Sequence, residues 1–340
     1  MVEERWGELL CTPRASRCGL RSPQKPVADT IHTVNTKAWR QNPLSDETWR
    51  EIRARLREIR AERYELAVDV QGAIRSALIA RWSGAPIVYG FAQPRENAAS
   101  LFYTRQVQAR GTHIVEQNLS LARAVDQSRA VSSGDVFQAE IQPGSTPTGV
   151  SAPYESSQEM LPRDEIAEQQ CEEKLRQTGI RQYAILNPGA GWGAKQWPAE
   201  RYGIVAMRLA AECGLRSVIN AGPEEQELAR AVEKTSQGAS KSFTGSVSEL
   251  IALTRGARLF VGGDTGPMHL AAALGIPVVG IFGPTDPARN GPYGTRSVVL
   301  RSPESVTSHK RRRAADEGML GITPGEVIHA AQHLLKGCRG

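Results

Sequence analysis

The sequence predicts an α/β protein with two domains, each built on a parallel sheet. Short apolar strand-like segments alternate with helix-like segments, which is the pattern of parallel strands covered by helices. The alternation is interrupted from residue 132 to about residue 162 by a stretch rich in Ser, Gly, Pro and Thr that has no helical or strand period. We therefore expect an N-terminal domain at 1–162, ending in this linker, and a C-terminal domain at 163–340.

The first half opens with a charged helix and then alternates. Residues 46–61 predict a surface helix, because apolar residues recur at helical spacing behind an acidic first turn. The segment YELAVDVQG at 64–72 predicts a buried strand that ends at a glycine. A helix, AIRSALIARWSG, and a second strand, PIVYGF, follow it. This order indicates that the two strands are parallel neighbours.

The second half alternates in the same way. Four apolar segments predict strands, and they are YAILNPGAG (183–191), RSVINAGP (216–223), RLFVGGD and PVVGIFGP. Helices are expected from Pro198 to about Cys213, from Glu224, and across SVSELIALTRGA. A last helix is expected in TPGEVIHAAQHLLKG, where Thr323 serves as N-cap and Pro324 takes the first helical position.

Composition and charge narrow the class of protein. The chain is 40% hydrophobic and 23% charged, as in a soluble globular protein. It has no apolar stretch near the ~20 residues that span a bilayer and no secretory signal pattern at its start, so we expect a cytoplasmic protein. Five scattered cysteines without a CxxC pattern predict neither a disulfide framework nor a zinc site. The net charge of +6 favours an anionic partner: nucleic acid, a phosphorylated small molecule or an acidic membrane surface.

Three predicted strands of the second half end in small residues just before a helix. These ends are LNPGAG (186–191), NAGP (220–223) and GGDTGP (262–267). The carboxyl ends of parallel strands gather at one edge of a sheet, where ligands bind in doubly wound folds. Glycines allow a ligand to approach the backbone, and the free N–H groups of a helix N-terminus favour negative charge. The sequence therefore predicts a site for a phosphorylated ligand at this edge.

Polar side chains accompany these turns. Asp264, Thr265 and His269 lie beside the predicted amide groups, although Asp264 could instead cap the helix and His269 could be an ordinary helix residue. Lys195 lies in GAGWGAKQWP, where a cation can neutralise charge on a departing diphosphate; the alternative is a surface lysine. Two carboxylates, Glu224 and Glu225, lie at the start of the helix after NAGP, where a carboxylate is either a partner of the helix dipole or a ligand for sugar hydroxyls.

Other classes of site lack their motifs. The sequence contains no GxGxxG fingerprint, no GxxxxGK(S/T) loop and no DxD or HxxEH-type set, so a nicotinamide enzyme and a P-loop ATPase are disfavoured. We predict neither a cofactor nor a metal. The basic cluster SHKRRR (308–313) raises the possibility of nucleic-acid binding, but it lacks interleaved aromatics and any DNA- or RNA-binding signature. A solvated loop, or a contact with an anionic membrane, is favoured.

Taken together, these segments resemble a known family. LNPGAGWGAKQWPAERY, NAGPEE and the stretch from SVSELIALTRGARLFVGGDTGPMH to IFGPTDPARNGPYG are similar to the lipopolysaccharide heptosyltransferases of glycosyltransferase family 9. In the first half, DVQGAIRSALIA and QPRENAASLFYTR look most like heptosyltransferase I. The resemblance implies a GT-B fold, with two Rossmann-like domains facing a cleft and the donor in the C-terminal domain.

The resemblance also implies a reaction and its participants. The donor would be ADP-L-glycero-D-manno-heptose and the acceptor the Kdo-lipid A core, with inversion at the anomeric centre and no metal. The protein would be a monomer, peripheral to the inner membrane, and would not bind nucleic acid. A transferase for another nucleotide sugar, and a relative that binds a nucleotide sugar without turning it over, are the alternatives.

The resemblance assigns roles to individual residues. Lys195 would contact the donor phosphate, Glu225 the ribose and Asp264 the heptose hydroxyls. The turn at Gly191, together with Thr265, Gly266 and His269, would complete the donor site. The residues expected to meet the acidic acceptor are Gln71, Arg75 and Arg95.

The chain departs from the family pattern at its N-terminus. MVEERWGELL resembles the end of the family's second strand, so the first strand, the first helix and the Gly-Asp turn would precede Met1. That turn carries the aspartate that deprotonates the acceptor in the family. The resemblance therefore implies an incomplete N-terminal domain, and the loss of a positioned base costs about 10²–10⁴-fold in rate.

Overall fold

The computed structural model describes residues 30–133, 161, 163–308, 314 and 316–336. By their internal contacts, the described residues up to 133 belong to one compact unit and those from 161 onward to another. We call them the N-terminal unit and the C-terminal unit. The expectations for the N-terminal start, for most of the linker and for the cluster at 309–313 lie outside the described residues, and the boundary at residue 162 stays a prediction.

The N-terminal unit contains a three-stranded parallel sheet in the order β1-β2-β3. The predicted helix at 46–61 is confirmed; Ser45 caps it by accepting a 3.1 Å hydrogen bond from the Thr48 amide. The elements of the N-terminal unit are α1 (Thr36–Gln41), α2 (Asp46–Ala61), β1 (Leu66–Val68), α3 (Ile74–Trp82), β2 (Ile87–Phe91), a 3-10 helix (Asn97–Phe102), β3 (Arg105–Val107) and α4 (Ile114–Ser133).

The first strand of this unit is shorter than the sequence predicts. A strand was expected over 64–72, whereas β1 covers only Leu66–Val68. Asp69 then bends the chain, because its carboxylate accepts hydrogen bonds from the amides of Gln71 and Gly72. This local side-chain bonding competes with the strand and ends it.

The C-terminal unit contains a six-stranded parallel sheet in the order β6-β5-β4-β7-β8-β9. Its strands are β4 (Tyr183–Asn187), β5 (Arg216–Asn220), β6 (Ser240–Phe243), β7 (Leu259–Gly263), β8 (Val278–Phe282) and β9 (Ser297–Arg301). Its helices are α5 (Glu165–Thr178), α6 (Ala199–Cys213), α7 (Gln226–Thr235), α8 (Val247–Arg255), α9 (Gly266–Ala273), α10 (Pro287–Asn290), α11 (Glu317–Gly321) and α12 (Pro324–Lys336), with 3-10 turns at Gly193–Lys195 and Pro223–Glu225. The strand order reverses between β4 and β7, so their adjacent carboxyl ends form a topological switch point.

Alternate residues of the central strands fill the core on both faces of this sheet. Val261 and Ile281 pack into the cluster on one face, while Phe260 and Phe282 pack into the cluster on the other. Because successive strand side chains point to opposite faces, a strand buried on both sides reads as a continuous apolar run. That is why the sequence shows RLFVGG and PVVGIF without alternation.

The predicted elements of this unit are largely confirmed. The last helix has Pro324 at its first position, and Thr323 and Glu326 cap it reciprocally. The helix expected from Glu224 begins at Gln226, because a 3-10 turn over Pro223–Glu225 precedes it. Strands β6 and β9 were not predicted, since they lie at the sheet edges and their sequences, SKSF and SVVLR, are not continuous apolar runs.

Candidate functional site

The three predicted strand ends of the C-terminal unit lie side by side. Strand β4 pairs with β5 on one side and with β7 on the other, and Asn187 at its end is in register with Gly262. The turns that follow these strands therefore share one edge of the sheet, as expected for parallel neighbours. We call this edge the donor rim and define it by the segments 187–195, 220–225 and 262–269.

Two asparagines tie the strand ends of the donor rim together. Asn187 is buried, with 4% of its surface exposed, and its Oδ1 accepts a 2.7 Å hydrogen bond from the Asn220 side chain. Its Nδ2 donates to the Gly189 carbonyl at 3.0 Å and to Thr265 Oγ1 at 3.5 Å. Sequence reasoning missed both residues. The available signal was an amide side chain at the last position of two apolar strands, LN and IN.

Lys195 and Asp264 meet at the donor rim. Lys195 ends the 3-10 turn after β4, Asp264 follows β7, and Nζ lies 2.5 Å from Oδ2. Only 11% of each side chain is exposed. The ammonium also lies 4.2 Å from the centroid of the Trp192 ring, a cation–π distance. Lys195 is thus held in a covered loop and is not a free surface lysine.

Asp264 also contacts the histidine on α9. His269 Nε2 lies 3.3 Å from Asp264 Oδ1, and 41% of the histidine side chain is exposed. Burial alone would raise the pKa of the Asp264 carboxyl, but hydrogen bonds from His269 and Lys195 and the lysine charge outweigh burial and lower it. Asp264 is therefore ionised at neutral pH. It does not cap α9, whose N-cap residue is Thr265.

The start of α9 offers one exposed backbone donor, the Gly266 amide, because Pro267 has no N–H and the next two amides donate to the Thr265 carbonyl. Gly266 is the first residue of this helix and is exposed, and Pro267 follows it. A Cβ added at Gly266 would meet no atom within 4 Å, and the same holds at Gly191 on the neighbouring loop. The first amides of a helix have no intrahelical acceptor and carry a partial positive charge. An anionic group can therefore approach the backbone at this end of α9.

Glu225 lies across the first turn of the donor rim. Its Oε2 accepts a 2.8 Å hydrogen bond from the Gly222 amide, and a Cβ on Gly189 would stand only 2.0 Å from its Oε1. Glycine at 189 is what lets the carboxylate take this position. Glu225 is half-buried at the rim, whereas the neighbouring Glu224 is exposed.

The predicted acceptor residues lie in the N-terminal unit. Gln71 and Arg95 are exposed on two turns that meet at Gly72, whose carbonyl accepts a 2.9 Å hydrogen bond from the Glu96 amide. Arg75, in the first turn of α3, donates to Thr36 Oγ1 at 3.2 Å.

The described residues contain neither a candidate metal site nor a helix that could span a membrane. No three of their His, Cys, Asp or Glu side chains are grouped so that they could hold a metal ion. No helix in the described ranges is long and apolar enough to cross a membrane. Cys171, which lies in those ranges, is a buried free thiol.

Comparison with known protein families identifies the family of this chain. The family described as glycosyltransferase family 9 (heptosyltransferase) matches residues 52–320. The chain belongs to glycosyltransferase family 9. The family resemblance carried by the sequence motifs is thereby confirmed, and this family 9 member is a glycosyltransferase.

Named relatives agree with this membership. Lipopolysaccharide heptosyltransferase 1 of Pseudomonas aeruginosa is 29% identical over 284 residues, covering 82% of this chain and 70% of the relative. Lipopolysaccharide heptosyltransferase 1 of Escherichia coli K12 is 28% identical over 282 residues, covering 82% of this chain and 79% of the relative.

Solved structures establish the fold of this family 9 member. Escherichia coli heptosyltransferase WaaC with ADP matches with a TM-score of 0.64 at 24% identity, covering 90% of this chain and 84% of that chain. Escherichia coli ADP-heptose lps heptosyltransferase II matches with a TM-score of 0.62 at 21% identity, covering 85% and 81%. The fold is therefore GT-B, with Rossmann-like domains, as the resemblance predicted.

Proposed function

We propose that this glycosyltransferase moves heptose from ADP-L-glycero-D-manno-heptose to the Kdo-lipid A inner core, with inversion at the anomeric carbon. The observation that carries the proposal is the Lys195–Asp264 ion pair beside the open start of α9 at Gly266. The relatives named above as lipopolysaccharide heptosyltransferase 1, and the WaaC structure with ADP, support this donor and this pathway.

Lys195 and the start of α9 are assigned to the diphosphate. An ammonium group has three N–H donors, and two of them are engaged by Asp264, at 2.5 Å by Oδ2 and at 3.4 Å by the backbone carbonyl. The ion pair fixes the lysine in place and leaves its third donor for a phosphate oxygen. The amide of Gly266 adds a donor from the same turn. Thr265 lies beside it with its hydroxyl donating to the Gly263 carbonyl at 3.2 Å, and His269 lies one turn along the helix.

Asp264 and Glu225 are assigned to hydroxyl groups. An ionised carboxylate only accepts hydrogen bonds and has about four lone-pair sites. Two sites of Asp264 face Lys195 and His269, which leaves acceptor capacity for the heptose hydroxyls. Glu225 uses one oxygen for the Gly222 amide, so its other oxygen can accept from the ribose.

The proposed step is a direct displacement. The acceptor hydroxyl oxygen forms a bond to the anomeric carbon while the bond from that carbon to the diphosphate oxygen breaks. Attack from the opposite face inverts the centre, and the negative charge that develops on ADP is stabilised by Lys195 and the helix start. Removal of one such preorganised donor typically costs about 10²–10³-fold in rate. The acceptor hydroxyl releases its proton to solvent water as the new bond forms. The donor-rim residues are assigned the stabilisation of ADP and not the removal of this proton.

Gln71, Arg75 and Arg95 are assigned to the acceptor. The Kdo sugars carry carboxylates, which arginine binds through paired N–H donors. Because Kdo-lipid A is anchored in a membrane, we propose that the protein works in the cytoplasm as a monomer at the inner-membrane surface. The net charge of +6 suits that anionic surface.

A transfer assay tests the proposal. The chain is incubated with ADP-heptose and Kdo₂-lipid A, and mass spectrometry detects addition of one heptose, while titration calorimetry measures donor binding. Product formation that falls steeply in Lys195→Ala supports the proposal. Donor binding without product would indicate a non-catalytic nucleotide-sugar-binding protein, and product only with another nucleotide sugar would indicate a different transferase; either result would overturn it.

A further inference from the structure

A buried carboxylate organises the turn that carries the predicted acceptor residues. Asp69 follows β1 and is 4% exposed. Its Oδ1 accepts hydrogen bonds from the amides of Gln71 at 2.9 Å and Gly72 at 3.2 Å. Its Oδ2 accepts from the hydroxyls of Ser76 at 2.9 Å and Tyr103 at 2.7 Å. Four donors from three parts of the chain thus converge on one side chain.

The turn from Asp69 to Gly72 ends in a left-handed backbone conformation at Gly72. Gly72 has a φ of +65°, which L side chains rarely adopt, and a Cβ there would lie 2.9 Å from the Arg95 amide nitrogen. The two bonds to Asp69 Oδ1 hold the backbone in this conformation. Gln71 is exposed at the crest of the turn.

The same turn is joined to the loop that carries Arg95. The Glu96 amide donates to the Gly72 carbonyl at 2.9 Å, and Glu96 Oε2 accepts from the Ile74 amide at 2.9 Å. Ile74 is the first residue of α3, the helix whose first turn presents Arg75. A change in the Asp69 turn would therefore shift all three of the predicted acceptor residues.

The carboxylate is costly to bury and is held without a cation. None of the ion pairs formed by the described residues involves Asp69, so its charge is compensated by hydrogen bonds alone. Burial, and then the hydrogen bond to Asp69, raise the pKa of Tyr103, which keeps that hydroxyl a donor at neutral pH. Such a group is better explained by the geometry it imposes than by a gain in stability.

We infer that Asp69 is the positioning residue of the acceptor side, fixing the backbone from which Gln71, Arg75 and Arg95 meet the anionic sugar. This inference rests on the proposed function, because these three residues are assigned to the acceptor there. Asp69 touches no substrate in this account. It acts through the turn at 69–72 and through the Gly72–Glu96 contact.

The test compares Asp69→Ala with Asp69→Asn in the full chain. In Asp69→Asn the amide oxygen still accepts from the two backbone amides, and the amide nitrogen donates to the Ser76 and Tyr103 hydroxyl oxygens. We expect Asp69→Ala to raise the Kd and the KM for Kdo₂-lipid A by about tenfold, with donor Kd unchanged, and Asp69→Asn to restore most of that loss. Amide hydrogen exchange at 71 and 72 is expected to accelerate in the alanine variant only.

Two tyrosine variants keep the inference testable if Asp69→Ala fails to fold. Tyr103→Phe removes one bond to the carboxylate, and we expect a smaller rise in acceptor KM. Tyr89→Phe is the matched control, because its hydroxyl donates to Ser128 at 2.6 Å in the same unit and does not contact Asp69. Its acceptor KM should stay at the wild-type value.

The outcomes separate this inference from the proposed function. A wild-type chain that binds Kdo₂-lipid A but forms no product contradicts the proposed transfer, while the Kd comparison still decides the role of Asp69. A wild-type chain that does not bind Kdo₂-lipid A overturns both. A variant with lowered thermal stability but unchanged acceptor Kd and KM, or an Asn variant that folds without restoring them, overturns the positioning role.

Discussion

Lys195 and Asp264 are 69 residues apart in the chain and form a 2.5 Å ion pair with only 11% of each side chain exposed. The pair exists because β4 and β7, which precede the two residues, are neighbours at the centre of the sheet. It places a fixed cation next to the open N-terminus of α9. The central claim of the proposed mechanism depends on this arrangement.

Replacing Lys195 with alanine is expected to lower kcat by about 100-fold, because a preorganised charge on the leaving diphosphate is lost. Steady-state kinetics with ADP-heptose and Kdo₂-lipid A measure the change. Lys174→Ala is the matched control, since Lys174 on α5 pairs with the carboxylate of Glu249 on α8 and not with a residue of the donor rim. Equal losses in both variants would contradict the assignment.

The contribution of Asp264 to stability should depend on pH. Its pKa is lowered in the folded state, so its stabilisation is fully present above the pKa of the unfolded carboxyl, about 3.9, and is lost as pH falls through the lower folded value. Urea unfolding of wild type and Asp264→Asn at several pH values measures this. The difference in free energy of unfolding should be constant from about pH 5 to 7 and shrink below about pH 4; a difference that grows on acidification would contradict it.

Gly189→Ala is expected to displace Glu225 while leaving the fold intact. The added Cβ would stand 2.0 Å from Glu225 Oε1, and the end of a flexible glutamate can move aside. If Glu225 binds the ribose, the donor Kd should rise by about tenfold, as measured by titration with ADP.

The control for this change is Gly321→Ala, where the nearest atom to an added Cβ is Ser302 Oγ at 3.7 Å. Its donor Kd and melting temperature should match the wild type. A Gly189→Ala protein that binds ADP as well as this control would remove Glu225 from the donor site.

Asn187→Ala is expected to destabilise the C-terminal unit by about 1–3 kcal/mol, because the half-buried Asn220 amide and the Gly189 carbonyl lose their partner. The affinity for the donor should also fall in this variant, because Asn187 donates to Thr265, which is assigned to the donor site. Chemical unfolding and ADP titration measure the two effects. Asn220→Ala should cost less, because Asn220 is only half-buried; the reverse order would argue against Asn187 as the centre of the network.

Much of the fold could be predicted from the sequence. The central strands β4 and β7 of the C-terminal sheet are buried on both faces, so their sequences are continuous apolar runs that end in asparagine and glycine. Edge strand β6, with the sequence SKSF, has no such signal, and its pairing with β5 depends on contacts distant in sequence. The helix α5 was also not predicted, although Asp164 caps its start and Gly179 its end.

The site was predicted in part, for a similar reason. Lys195, Asp264 and His269 are charged or ionisable residues beside glycine-rich turns, and that combination indicates a site in the sequence itself. Asn187 organises the turns of the donor rim, and Asp69 organises the turn at 69–72, through hydrogen bonds to backbone amides, carbonyls and neighbouring side chains. Those partners become visible only when the strands are assembled.

The most direct test of the central claim is a crystal structure of the chain with ADP bound. We expect the diphosphate at the donor rim, with Lys195 Nζ and the Gly266 amide within hydrogen-bond distance of its oxygens. A diphosphate bound elsewhere, with Lys195 engaged only by Asp264, would contradict it.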